Sequence, residues 1–198
     1  MAEHDGWSLA HDYGDESRER AGLLGTVGFI DRSHLCKLEL HGDVAELAGA
    51  TLVPGTAMCD EHGAWWCPLT PERTLVLGAP GDAPRLRARV TEGSRSVAEV
   101  TCGLAALTLA GPLAGELLAR FCAIDVRPAV APVAAFRPGS IARTPGYLLR
   151  ERDDELLIMV GWALGEYLWQ VVADAAAKLG GGPAGIAALR AHRKALDA

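Results

Sequence analysis

The sequence predicts an α+β domain made of two similar halves, and three observations carry that expectation. Leu38-Glu39-Leu40-His41-Gly42-Asp43-Val44-Ala45 recurs as Leu107-Thr108-Leu109-Ala110-Gly111-Pro112-Leu113-Ala114, 69 residues further on. Each copy alternates apolar and polar residues as a half-buried strand does, turns at a glycine and opens a helix. Asp43 suits the N-cap of the first helix and Pro112 the first turn of the second. Length and composition agree, because 198 residues that are 49% apolar form one domain, or two closely packed halves, with a substantial core. The competing reading is chance likeness between segments rich in Leu, Ala and Gly.

Each element follows from local pattern. Residues 1–22 are polar and charge-rich, and read as a flexible N-terminal arm or one short helix. Strand character begins at Leu23 and runs to Leu40, where Cys36, Leu38 and Leu40 alternate with Lys37 and Glu39. A short helix is expected over 43–49. Strands follow near 51–58, 63–68 and 73–77, divided by Pro54-Gly55, by the polar loop Asp60-Glu61-His62-Gly63 and by Thr70-Pro71-Glu72. Ala83–Val90 reads as an Arg-rich helix, 97–101 and 104–109 as strands, and Pro112 to Phe121 as the second post-glycine helix. Four prolines between 126 and 146 leave room for one strand near Ser140–Ala142. A hairpin is expected from Tyr147 to Val160, turning at Arg152-Asp153-Asp154. The clearest helix spans about 162–179, with Leu164, Tyr167, Leu168, Val171, Val172, Ala175 and Leu179 on one broad face. Residues 181–198 read as a glycine hinge and a short final helix.

Composition removes several functional classes. A net charge of −6 argues against nucleic acid or an anionic membrane as the main partner. No apolar run approaches the roughly 18 residues of a spanning helix, and the start lacks a basic region followed by an apolar one. Five scattered cysteines point to reduced thiols in the cytoplasm. Dinucleotide and phosphate-loop glycine patterns, the nucleophile elbow and His-Glu-x-x-His are all missing from the sequence.

Several residues invite a chemical reading. Cys59, His62 and Cys67, with His34 and Cys36 nearby, have spacings a metal could use, but no second clean ligand pair exists and buried free cysteine is common. Trp65-Trp66 sits in a strand, so one indole faces the core and the other faces a groove, a planar ligand or a partner chain. Trp162 and Trp169, seven residues apart, share one flank of the long helix, either as the margin of the core or as anchors of a protein interface. Arg85, Arg87, Arg89 and Arg95 form a basic patch, read as a solvated face or as attraction for an anionic ligand tail. Asp31 and His34 read as acid–base groups or as hydrogen-bonded structural ones.

The segments 101–112 (Thr-Cys-Gly-Leu-Ala-Ala-Leu-Thr-Leu-Ala-Gly-Pro) and 118–128 (Leu-Ala-Arg-Phe-Cys-Ala-Ile-Asp-Val-Arg-Pro) resemble the gamma subunit of heterotetrameric sarcosine oxidase. So do Phe136-Arg137-Pro138-Gly139, Ala142-Arg143-Thr144-Pro145, Gly165-Glu166-Tyr167-Leu168-Trp169 and the stretch from Ala64 through Leu77. Asp31-Arg32-Ser33-His34-Leu35-Cys36-Lys37 is similar to the Asp-x-Ser-His-x-Gly-Lys segment of the glycine-cleavage aminomethyltransferase, which shares a folate-binding superfamily with that subunit. The resemblance covers about 23–180.

It implies two related halves with antiparallel sheets flanked by helices. It also implies a non-catalytic, gamma-type subunit of a sarcosine-oxidase-like amine demethylase in tetrahydrofolate one-carbon metabolism. Flavin and NAD would be held by partner subunits, in a hetero-oligomer docked through Trp162 and Trp169. The alternative it implies is a stand-alone tetrahydrofolate-binding protein or small aminomethyltransferase. There Trp65, Trp66 or Tyr147 would stack on the pterin and Arg85 would help hold the glutamate tail. The pattern departs from the aminomethyltransferase at Cys36, which replaces a glycine, and at Glu151-Arg152-Asp153-Asp154-Glu155-Leu156, which lacks that enzyme's glycines and aromatic. No catalytic residue and no metal ligand is carried over.

Overall fold

The computed structural model describes residues 1–4, 6–42, 49, 51–91 and 96–196. A short hairpin, β1 (Ala2–His4) and β2 (Trp7–Leu9), leads into helix α1 (Glu16–Gly25). Asp15 caps α1 by accepting the Arg18 N–H at 2.9 Å, and Glu16 and Glu19 favour the positive end of its dipole. Leu23, expected to open a strand, is therefore helical. The first long strands are β3 (Gly28–Asp31) and β4 (Cys36–His41), and the helix expected over 43–49 lies outside the described residues. Then come β5 (Met58–Cys59), β6 (Trp65–Thr70), β7 (Arg73–Gly78), helix α2 (Ala83–Thr91) and β8 (Ser96–Glu99). The second half runs β9 (Leu104–Ala110), α3 (Ala114–Ala119), β10 (Phe136–Ile141), β11 (Thr144–Arg152), β12 (Glu155–Gly161) and α4 (Gly165–Ala177). The chain closes with β13 (Gly182–Pro183) and helix α5 (Ile186–Leu196).

Besides the two-stranded β1–β2 sheet, the described strands form two larger sheets, ordered β5-β6-β7-β4-β8 and β10-β11-β12-β9-β3-β13, and every pairing in these is antiparallel except β13 against β3. Pro138 in β10 is tolerated because β10 is an edge strand.

The duplication is real and its halves are interlocked. β3 precedes β4 yet pairs with β9, while β8 precedes β9 yet pairs with β4. Register agrees to the residue: Asp31 faces Leu107 where Glu99 faces Leu38. The hairpins β6–β7 and β11–β12 carry the same irregularity 82 residues apart, between Pro68 and Thr70 and between Arg150 and Arg152. Gly42 and Gly111 end equivalent strands at φ +124° and +115°. Their N–H groups donate to equivalent turn carbonyls, Glu72 at 2.9 Å and Asp154 at 3.0 Å. Only glycine takes that backbone conformation without strain.

Packing makes four layers. Between the sheets, Cys67, Leu75 and Leu77 meet Ala106, Leu149, Leu157 and Met159. Behind the six-stranded sheet, Leu148, Leu156, Ile158 and Val160 pack on Leu117, Leu168 and Val172 of α3 and α4. Behind the five-stranded sheet, Leu38, Leu40, Trp66 and Val76 pack on Leu86 and Val90 of α2. Each fully buried aliphatic side chain here contributes about 2 kcal/mol.

The two ends of the chain meet. The stretch read as a flexible arm holds β1, β2 and most of α1, with Leu9, Leu23 and Ile30 against Ile186 and Leu189 of α5. Gly182-Pro183, read as part of a hinge, adds to the edge of β3. Among the described residues no helix is long and apolar enough to cross a membrane.

Candidate functional site

The loop from Asp31 to Lys37 is built to hold a shape. Asp31 accepts the Ser33 N–H at 2.8 Å, Arg32 donates its N–H to the Ala106 carbonyl at 2.9 Å, and the Ser33 hydroxyl accepts the Ala106 N–H at 3.1 Å. Lys37 is fully buried between the sheets. Its ammonium donates to the carbonyls of Ser33, Leu35 and Thr101 at 2.7, 3.0 and 3.4 Å. It thereby ties this loop to the equivalent loop before β9. Burial lowers the Lys37 amine to about 8, against the partial support of the Asp31 carboxylate. Its place makes it a structural strut.

Asp31 and Ser33 border a cavity of about 450 Å³, completed by Ala105, Leu107, Trp162, Gly165, Glu166 and Trp169. Helix α4 approaches β9 so closely that a Cβ on Gly165 would lie 2.9 Å from the Ala105 methyl. Trp169 packs edge-on against Phe29 at 4.7 Å, and Tyr13 stacks over it at 6.2 Å. Trp162, 52% exposed, meets Trp7 edge-on at 6.4 Å. The cavity offers indole faces and two carboxylates, which suits a flat molecule with N–H groups at its edge. It brings together Asp31-Arg32-Ser33-His34 and Gly165-Glu166-Tyr167-Leu168-Trp169, two segments far apart in sequence.

Other expected site residues lie elsewhere. Trp66 is wholly buried and donates its indole N–H to Asp60 at 3.1 Å, beneath the Arg89 guanidinium at 5.2 Å from its ring centroid. It has no face to present to a pterin. Trp65 is half-buried beside a second cavity of about 260 Å³, shared with Arg32, His34, Glu151, Arg190 and Arg193. Tyr147 occupies the equivalent place in the other half and stacks on Phe136 at 5.8 Å. The described arginines of the basic patch are committed to carboxylates: Arg85 to Asp82 at 3.3 Å, Arg89 to Asp60 at 2.9 Å, and Arg87 to Glu99. Arg95 lies outside the described residues. Trp65, Trp66, Arg85 and Tyr147 therefore do not converge on one pocket.

Cys59, His62 and Cys67 do not converge either. Cys67 is in the inter-sheet core, where burial raises its thiol, while Cys59 and His62 are exposed. Among the described residues the one convergence of metal-ligand types is Asp154, Glu155 and His192, within 4.8 Å of one another. Of these, Glu155 is already matched by arginine. Arg193 donates to Glu155 at 2.5 Å and to Glu151 at 2.9 Å, and Arg32 to Glu151 at 3.2 Å. His192 meets Asp154 at 2.9 Å. This network fastens α5 to the β11–β12 hairpin. Burial lowers the Arg32 guanidinium, partly offset by Glu151.

The fold defines an aminomethyltransferase-like α+β domain with two interlocked halves. No protein-family model and no curated protein matches the chain. Solved structures do. One chain of the heterotetrameric sarcosine oxidase from Corynebacterium sp. U-96, in complex with pyrrole 2-carboxylate, aligns with TM-score 0.68 and 20% identity, over 83% of this chain and 92% of that one. The glycine cleavage system aminomethyltransferase T from Bartonella henselae aligns with TM-score 0.74 and 16% identity. That alignment takes in 94% of this chain and 56% of the enzyme's, so the protein spans a little over half of it.

Proposed function

We propose that this chain is a non-catalytic, gamma-type subunit of a heteromeric, sarcosine-oxidase-like amine demethylase in the cytoplasm, linked to tetrahydrofolate one-carbon metabolism. Flavin and NAD belong to its partner subunits. The observation that carries this reading is the tryptophan-walled cavity opening beside the exposed Trp162, Leu164 and Tyr167, an apolar rim that another protein would cover. Two further points support it. The chain aligns with nearly the whole of one chain of a heterotetramer, and two indoles wall the cavity beside that rim. Co-expression with candidate flavoprotein subunits, followed by size-exclusion chromatography at flavin wavelengths, tests it. A stable flavin-containing complex that Trp162→Ala weakens is the expected result. Turnover of a methylated amine by the purified chain alone would refute it.

A second reading, a stand-alone tetrahydrofolate-binding protein or small aminomethyltransferase, draws on the same cavity. About 450 Å³ accommodates a bicyclic ring between Trp162 and Trp169, with Asp31 and Glu166 as acceptors for its amino groups. Saturable micromolar binding of tetrahydrofolate by the isolated chain, read by tryptophan quenching, would favour it. Trp65 and Arg85 substitutions should leave that binding intact, because neither residue borders the cavity.

A further inference from the structure

The two indoles proposed to face a partner are touched by the chain's own N-terminal segment, Trp7 against Trp162 and Tyr13 against Trp169. That segment is seated in a specific way. The Ile186 and Ala187 N–H groups at the start of α5 donate to the carbonyls of Ala10 and His11, both at 3.2 Å. Glu19 bridges segment and helix, one carboxylate oxygen accepting the Tyr13 N–H at 2.5 Å and the other the Gly185 N–H at 2.8 Å. The main chain of His11 lies directly against Gly185, where a Cβ would stand 2.0 Å from the His11 carbonyl oxygen. Residue 185 must therefore be glycine for the segment to lie where it does.

We propose that residues 7–13 are a displaceable cover, clamped at Gly185, that occupies the Trp162–Trp169 wall in the free chain and is moved aside when another molecule docks there. This regulation rests on the partner-facing reading of that wall. The cover is thin enough to move. Among its described residues Leu9 is the buried anchor and 12–17 are exposed, and two main-chain hydrogen bonds and the Glu19 carboxylate link it to the start of α5. Tyr13, partly exposed where it stacks on Trp169, has its phenol pushed up by partial burial first, then by the charges of Asp31 and Glu19. A partner that brings its own apolar surface to the two indoles replaces both aromatic contacts without exposing them to water.

Hydrogen exchange read by mass spectrometry on the full chain tests the cover without any partner. Gly185→Ala should raise exchange of residues 6–14 and 162–170 by about tenfold or more, leave β9 and β12 unchanged, and increase acrylamide quenching of tryptophan. Glu19→Gln keeps the clamp glycine and should give a smaller change of the same pattern, so the test survives if Gly185→Ala does not fold. Unchanged protection of 162–170 while 6–14 is released would overturn the proposal, as would full protection of 6–14 in both variants. In co-purification, Gly185→Ala should capture a flavoprotein partner several-fold better than wild type, and equal capture would show that the cover is not inhibitory. Capture by neither protein would refute the partner reading, leaving the exchange data to decide the cover.

Discussion

Arg87 and Trp169 stand at the same place in the two halves of this protein. The equivalence is fixed by their neighbours, because Leu86 and Val90 on α2 and Leu168 and Val172 on α4 are all completely buried at matching positions. Arg87 pairs with Glu99, and Asp31 is the residue equivalent to Glu99. In the first half a guanidinium from the helix neutralises the strand's carboxylate. In the second half an indole replaces the guanidinium, and the carboxylate faces a cavity.

Trp169→Arg should therefore restore the first-half arrangement. The new side chain reaches toward Asp31, fills the cavity and abolishes any tetrahydrofolate-dependent fluorescence change. Loss of packing against Phe29 makes the variant about 1–2 kcal/mol less stable. A double-mutant cycle with Asp31→Asn, read by urea unfolding, should give a coupling of about 0.5–1 kcal/mol, as for a partly exposed ion pair. Zero coupling would mean that the two halves are not equivalent at this point.

The network on α5 makes a sharper energetic prediction. Arg193→Met leaves Glu155 fully buried with its two closest cationic contacts removed, and should cost about 3–5 kcal/mol. Glu155→Leu alone should cost less, because the guanidinium keeps its bond to Glu151 at 2.9 Å. The pair made together should be far less harmful than the sum, because two apolar side chains need no compensation. Additive costs in chemical denaturation would show that the bridge does not act as a unit.

The repeat was legible in the sequence because Leu38 and Leu107 keep register within strands, where alternation is a local property. The exchange of β3 and β8 between halves was not, since it depends on pairings some 60 to 80 residues distant that no local pattern encodes. Alternation predicts that one of Trp65 and Trp66 points inward, and Trp66 does so under α2. The arginines at 85, 87 and 89 read as one patch, but a step of two residues turns Arg87 away from Arg85 and Arg89, and each of the three meets a different carboxylate. Trp162 and Trp169 read as a pair on one flank of the long helix, but Trp162 lies in the 3₁₀ turn Trp162–Leu164 ahead of α4, and the two meet only at the border of one cavity. What they enclose was not legible, because Asp31 reaches them only through the crossing of β3 beside β9.

Gly111 is the residue on which the interlock is most exposed to mutation. A Cβ there would sit 2.7 Å from the carbonyl oxygens of both Leu23 and Thr26, at φ +115°. Backbone atoms cannot yield as a flexible side chain does. Gly111→Ala should cost about 3 kcal/mol or more, combining left-handed strain with displacement of the α1–β3 connection. Gly115, in the next helix, has open space around its Cβ position, so Gly115→Ala should stabilise by about 0.5–1 kcal/mol. Thermal unfolding of the two variants separates a conformational requirement from a general intolerance of this segment.

Lys37 supplies a pH signature opposite to that of a salt-bridged lysine. Its amine is lowered from 10.5 to about 8 in the folded chain, so between those values the unfolded chain binds more protons than the native one. Stability contributed by this residue therefore rises with pH across that window. The penalty of burying the ammonium is fully present below pH 8 and is relieved as pH approaches 10.5. Its full extent is about 3 kcal/mol, at one pKa unit per 1.36 kcal/mol. Lys37→Met removes the titration and keeps the apolar stem, although it leaves the Ser33, Leu35 and Thr101 carbonyls without that donor. The difference in unfolding free energy between wild type and Lys37→Met, measured in urea from pH 7 to 10, should therefore shift in favour of wild type as pH rises. A difference independent of pH would show that Lys37 is charged throughout, held by its three carbonyls as firmly as by water.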